Sequence, residues 1–203
     1  MQHASFPPRR RALLAASAAA FSLLVAACSR SGPEAFHGID LTGADYAKDF
    51  RLTDPDGKER TLADFRGKAV LVFFGFTQCP DVCPTALATA AEAKRLLGAD
   101  GDRLQVIFVT IDPERDTPEV LRSYAAAFDP GFIGLYGDAE RLERTAKDFK
   151  VFYNKVPTGS SYTMDHTALT YAYDPQGRLR LALRHGQTAE QYAADLRRLL
   201  KSD

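Results

Sequence analysis

An unbroken apolar run, Ala69 to Phe76 (AVLVFFGF), constrains this chain more than any other feature. Its eight residues are the length of a strand and are rich in branched and aromatic side chains. With no polar position to turn towards water, it reads as a central strand buried on both faces. Cys79-Pro80-Asp81-Val82-Cys83-Pro84 follows it at once and leads into TALATAAEAKRLLG. This segment is an alanine- and leucine-rich helix that Gly98 can end and whose first turn accommodates Pro84. Leu104 to Ile111 (LQVIFVTI) repeats the buried-strand pattern.

Around this centre the remaining elements follow from turn and capping residues. Asp54-Pro55-Asp56-Gly57 is strong turn chemistry between Phe50-Arg51-Leu52 and Arg60-Thr61-Leu62, which predicts an opening hairpin. Thr117-Pro118-Glu119 supplies an N-cap, a proline and an acid for one helix, and Asp138 caps another that runs to about Phe149. Thr167 to Tyr173 and Arg178 to Leu183 alternate around Asp174-Pro175-Gln176-Gly177 as a second hairpin. Thr188 and Gln191 form a capping box for a last helix to about Leu200. The resulting order is hairpin, strand, helix, strand, helix, helix, hairpin, helix. That is an α/β architecture with a central mixed β-sheet flanked by helices, and thioredoxin-like folds carry their chemistry at the end of the first central strand.

The N-terminus reads as an address. Arg9, Arg10 and Arg11 precede an apolar stretch from Ala12 to Ala27 and then Cys28, the pattern of an export signal and slightly short for a membrane-spanning helix. Val25-Ala26-Ala27-Cys28 is similar to a bacterial lipoprotein signal, in which the cysteine becomes the lipidated first residue. An uncleaved anchor and an ordinary signal peptide with an incidental cysteine stand as alternatives. The expected organisation is a leader over 1–27, a polar Gly/Pro-containing tether over 28–43 and one domain over 44–203. All three versions place that domain outside the cytoplasm, on the periplasmic side of a bacterial envelope. Of 203 residues, 26 are basic and 26 acidic, so no excess charge points to nucleic acid. Three cysteines are too few for the framework of a small cystine-rich scaffold.

Cysteine is therefore expected to do chemistry. On a helical turn, Cys79 and Cys83 at i and i+4 bring their Cβ atoms to roughly 5–6 Å. At that separation the pair can close as a disulfide or turn both sulfurs to one ion. A helix N-terminus is expected to favour thiolate. Two soft sulfurs and one imidazole suit Cu(I) or Zn(II). Of the four histidines, His3 goes with the leader and His37 with the tether, so His166 and His185 compete, and spacing alone separates them only slightly. Asp81 between the cysteines is a helix cap or a group facing a partner. Asp112 to Asp116 (DPERD) are turn-makers or a partner surface, and Met164 is core or a weak thioether contact.

The motifs GKAVLVFFGFTQCPDVCPTAL, VTIDPERDTPEVLRSYAAAF, FIGLYG and MDHTALTYAYDPQG, in this order between Tyr46 and Leu200, resemble the Sco/SenC family. These are membrane-tethered thioredoxin-fold proteins that help assemble the CuA centre of cytochrome c oxidase. The resemblance implies copper, as Cu(I) and also Cu(II), held by Cys79, Cys83 and His166, and so raises His166 above His185. It implies as partners the CuA-bearing subunit II of the oxidase and a copper donor protein. The expected function is a copper metallochaperone. The alternative is a thiol-disulfide oxidoreductase that keeps the subunit's cysteines reduced, and a peroxidase and a purely structural disulfide stand behind it.

Overall fold

The computed structural model describes residues 35–201. The expected leader, the lipidation at Cys28, His3 and most of the expected tether lie outside the described residues. Ten strands occur in chain order: β1 (Ile39–Asp40), β2 (Leu52–Thr53), β3 (Glu59–Arg60), β4 (Ala69–Gly75), β5 (Leu104–Thr110), β6 (Ile133–Leu135), β7 (Tyr153–Thr158), β8 (Ser161–His166), β9 (Leu169–Tyr173) and β10 (Leu179–Arg184). The α-helices are α1 (Val82–Leu96), α2 (Pro118–Ala126), α3 (Ala139–Asp148) and α4 (Ala189–Leu199).

Six strands form one mixed sheet in the order β1-β10-β9-β4-β5-β6, with β4, β5 and β6 parallel and the others antiparallel. All seven residues of β4 and all seven of β5 are buried, as unbroken apolar runs require. α1 and α4 pack on one another, and α2 lies against β6. Phe73, Phe74, Phe76, Phe108 and Phe149 are among the largest fully buried side chains. Buried Tyr171 and Tyr173 give their hydroxyls to the carbonyls of Phe149 and Ala47, both at 2.7 Å, so neither leaves an unpaired polar atom in the core.

Local signals explain the ends of most elements. The Thr117 and Asp138 side chains accept from the Val120 and Arg141 N–H groups, and Thr188 with Gln191 forms a reciprocal capping box. The two Asp-Pro-x-Gly turns share one device. Asp54 accepts from the Asp56 and Lys58 N–H groups and from Arg60 Nε, while Asp174 accepts from the Gln176 and Arg178 N–H groups and from Arg178 Nε. In each turn the glycine, Gly57 or Gly177, takes a positive φ.

Three features differ from the sequence reading. Ile39 and Asp40, expected in the tether, pair as β1 with Ala182 and Leu181 at the sheet edge. Just before them, buried Asp195 of α4 accepts the His37 and Gly38 N–H groups at 3.0 and 2.8 Å. The His37 ring itself is exposed. The short strand β6 extends the sheet beyond β5. Lastly, β7 and β8 form a separate hairpin around Gly159-Ser160, with six registered pairs from Tyr153↔His166 to Thr158↔Ser161. His166 therefore ends this hairpin, three residues before β9 begins.

Candidate metal centre

Parallel strands place the ends of β4 and β5 side by side, so the segments that follow them meet at one edge of the sheet. The first carries Cys79 in the loop after β4 and Cys83 in the opening turn of α1. The second is the DPERD loop. The β7–β8 hairpin brings His166 to the same place. The two Sγ atoms and a ring nitrogen of His166 all lie within 4.8 Å of one another. His166 Nε2 stands 3.5 Å from Cys83 Sγ, and the Cys83 N–H points at Cys79 Sγ, also at 3.5 Å. Both cysteines are free thiols.

Each donor is oriented by its surroundings. His166 Nδ1 lies 3.0 Å from the Thr167 carbonyl, which can only accept, so Nδ1 carries the proton and Nε2 offers its lone pair towards the sulfurs. The rings of Phe73 and Phe76 meet the imidazole edge-on, each with centroids 6.0 Å away. Burial among them lowers the imidazole pKa, outweighing the Thr167 bond and the nearby Asp165, so the ring is neutral at pH 7. Cys83 is wholly buried whereas Cys79 is half-buried. Burial pushes the Cys83 thiol far up, opposite to the lowering expected from its place at a helix N-terminus, because desolvation of the thiolate outweighs the dipole.

The donor set fits a soft ion. With metal–sulfur and metal–nitrogen bonds of about 2.3 and 2.0 Å, trigonal donors stand roughly 3.7–4.0 Å apart, so the three groups need to shift by about an ångström at most. A cleft of about 240 Å³, lined by Phe76, Cys79, Asp81, Met164 and His166 among others, opens the site to solvent.

Among the described residues no other histidine, cysteine or carboxylate joins this group. His185 follows β10, which β9 separates from β4, and it is not part of the cluster. Met164 is buried in the core cluster. Asp81 holds the N-cap position of α1 without a capping bond from its side chain, and it is exposed.

Sequence reasoning missed two supporting features. Asp112 and Asp116 are buried, not turn decoration. Asp116 accepts the Thr77 N–H, the Thr77 hydroxyl and the Thr110 hydroxyl, at 3.1, 2.6 and 2.6 Å. Asp112 pairs with Arg115 and accepts the Tyr162 hydroxyl at 2.8 Å. The other feature is Gly75, where a Cβ would stand 2.7 Å from Cys83 Sγ and 2.8 Å from Phe108 Cε2. The glycine leaves the room that the buried sulfur occupies.

The chain is similar to proteins already known. The family model described as SCO1/SenC matches residues 40–201. The mouse mitochondrial protein SCO2 homolog is 36% identical over 154 residues, which is 74% of this chain and 60% of that protein. The chain thus spans less than two thirds of the length of this relative. The structure of Bradyrhizobium japonicum ScoI with copper bound is 45% identical, with TM-score 0.68, covering 74% of this chain and 97% of that one. The solution structure of apo Sco1 from Thermus thermophilus is 41% identical, with TM-score 0.73, covering 83% and 99%. The thioredoxin-like architecture expected from the sequence is the one these relatives share. A match over four fifths of its length, with close structural relatives at 41% and 45% identity, makes this chain a member of the SCO1/SenC family.

Proposed function

We propose that the domain is a copper metallochaperone that takes up copper as cargo through Cys79, Cys83 and His166 and passes it to the CuA-bearing subunit II of cytochrome c oxidase. The convergence of two thiols and one neutral imidazole within 4.8 Å carries this reading. Soft sulfurs favour Cu(I) over hard cations, and a three-ligand site at a cleft leaves room for an incoming ligand. On uptake each thiol gives its proton to solvent, and the copper gains two thiolates and Nε2. The solved copper-bound relative from Bradyrhizobium supports the choice of metal. In the same reading residues 1–27 are a leader, Cys28 carries a lipid and the domain works on the periplasmic side of the membrane. No helix among the described residues is long and apolar enough to cross a membrane.

The test is anaerobic titration of the reduced protein with Cu(I) against a competing chelator, followed by transfer to a purified oxidase subunit II domain. A one-to-one complex is expected, weakened at least roughly tenfold by His166→Ala and unchanged by His185→Ala. Equal binding by parent and His166→Ala overturns the ligand set.

The half-exposed Cys79 beside a second free thiol favours one other reading, a thiol-disulfide reductant for the same subunit. Dithiol exchange needs no imidazole. If it is the function, His166→Ala spares the reduction of subunit II while abolishing tight copper binding.

A further inference from the structure

The imidazole and the two sulfurs sit on pieces of chain that no β-ladder joins. The β7–β8 hairpin is a sheet of its own, separate from the six-stranded sheet whose β4 leads into the cysteine loop. Beyond the short link from His166 to β9, side chains hold the hairpin against the cysteine loop, and Arg115 bridges the two. Arg115, 17% exposed, pairs through Nε with Asp112, whose side chain is fully buried. The other carboxylate oxygen of Asp112 accepts the Tyr162 hydroxyl. Arg115 Nη1 donates to the Tyr162 carbonyl at 2.9 Å and to Gln78 Oε1, next to Cys79, at 3.1 Å. Its guanidinium lies 3.7 Å from the centroid of the Tyr162 ring. It also faces Phe76, one of the two rings against the imidazole, at 5.9 Å. Tyr162 is thus gripped by hydroxyl, carbonyl and ring. Lys155 of β7 adds a more exposed bond to Glu114 at 2.6 Å.

We propose that Arg115 is a positioning residue of the metal centre, clasping the β7–β8 hairpin to the cysteine loop through Asp112, Tyr162 and Gln78 and so fixing where His166 stands relative to the two sulfurs. This rests on the copper reading above. A planar, five-donor cation suits the task because it can bond a carboxylate, a carbonyl and an amide oxygen while stacking on a ring. Lysine cannot reproduce that set. Tyr162 and His166 lie on the same face of β8, four residues apart, so a pivot at one end of the strand displaces the other.

The test is a double-mutant cycle on the reduced full-length protein, with Cu(I) competition as one readout and amide hydrogen exchange of the metal-free protein as the other. Arg115→Met is expected to weaken Cu(I) binding about tenfold in the parent and less than twofold when His166 is already alanine. It is expected to speed exchange across 153–166 and to leave 69–75 unchanged. Tyr162→Phe, which keeps the ring and the carbonyl but removes the hydroxyl bond to Asp112, is expected to move both readouts the same way and less far. Arg115→Lys is not expected to restore either. Equal loss of affinity in both backgrounds overturns the proposal, because the cysteines themselves would then be disturbed. Unchanged affinity or unchanged hairpin exchange also overturns it. If parent and His166→Ala bind Cu(I) alike while hairpin exchange still responds to Arg115→Met, the copper reading has failed and takes the positioning role with it, although the clasp exists.

Discussion

Adding one methyl group at Gly75 tests whether the buried sulfur sits in a space with no slack. The new Cβ would meet Cys83 Sγ at 2.7 Å and Phe108 Cε2 at 2.8 Å, where ordinary contacts are 3.4–4 Å. The backbone cannot retreat easily, because Gly75 ends a strand paired residue for residue with β5 from Ala69↔Leu104 to Gly75↔Thr110. Phe108 is hemmed in by Phe73 and Tyr124, with ring centroids at 6.4 and 5.2 Å. The sulfur must yield, and it must do so inside a wholly buried site. Overpacking of this kind costs about 1–3 kcal/mol. At about 2–4 °C per kcal/mol for a domain of this size, Gly75→Ala lowers Tm by about 2–12 °C. Because the displaced atom is the one facing His166 Nε2, Cu(I) affinity falls as well. Thermal unfolding of the metal-free protein and chelator competition measure the two effects separately. A variant with parental Tm and parental affinity would refute the claim that Gly75 makes room for Cys83.

Two other predictions concern protonation and the N-terminal edge. Since burial raises the Cys83 thiol far above neutrality, it remains protonated in the metal-free protein and must release that proton on binding. His166, lowered by burial, is already neutral above pH 7 and does not oppose this trend. Apparent Cu(I) affinity should therefore rise at least about tenfold per pH unit between roughly pH 7 and 9, and a flat profile in chelator competition contradicts the buried-thiol argument. Asp195→Ala strips the His37 and Gly38 N–H groups of their acceptor, the latter buried. A cost of about 1–3 kcal/mol is expected, seen as a lower Tm and faster proteolysis around residues 36–41. Unaltered cleavage there would show that β1 holds without it.

Legibility in the sequence followed the length and polarity of each element. β4 and β5 announce themselves because a strand buried on both faces has no polar positions to obscure it. Thr117, Asp138 and Thr188 mark their helices because capping is a local matter between near neighbours. β6 escaped attention because three residues show no period. The β7–β8 hairpin was masked by its largely exposed surface and by Pro157, although its two-residue Gly159-Ser160 turn is a hairpin signal in its own right. Within the site, the nearness of Cys79 and Cys83 followed from i,i+4 spacing. Spacing alone leaves His166 and His185 open, because what brings His166 to the sulfurs is the packing of the β7–β8 hairpin beside the cysteine loop, which no local pattern encodes. The same holds for Asp112, Asp116 and Arg115, whose charges look like an ordinary polar loop until folding buries them. The thiol shift was misjudged for a related reason: the helix terminus is visible in sequence, whereas the depth of Cys83 beneath Gly75 is not.

The unequal depth of the two cysteines gives the site a direction. On the copper-chaperone reading, a thiolate reaching in from a docked protein comes first to Cys79, which lines the cleft, and only last to the wholly buried Cys83. On that reading handover is expected to be a sequence of exchanges and not a simultaneous release, with the outer sulfur let go early and the inner one retaining the ion until a new set of ligands is complete. Loading retraces that path in reverse, the deep thiol being the first secure hold and the shallow one closing behind the cargo.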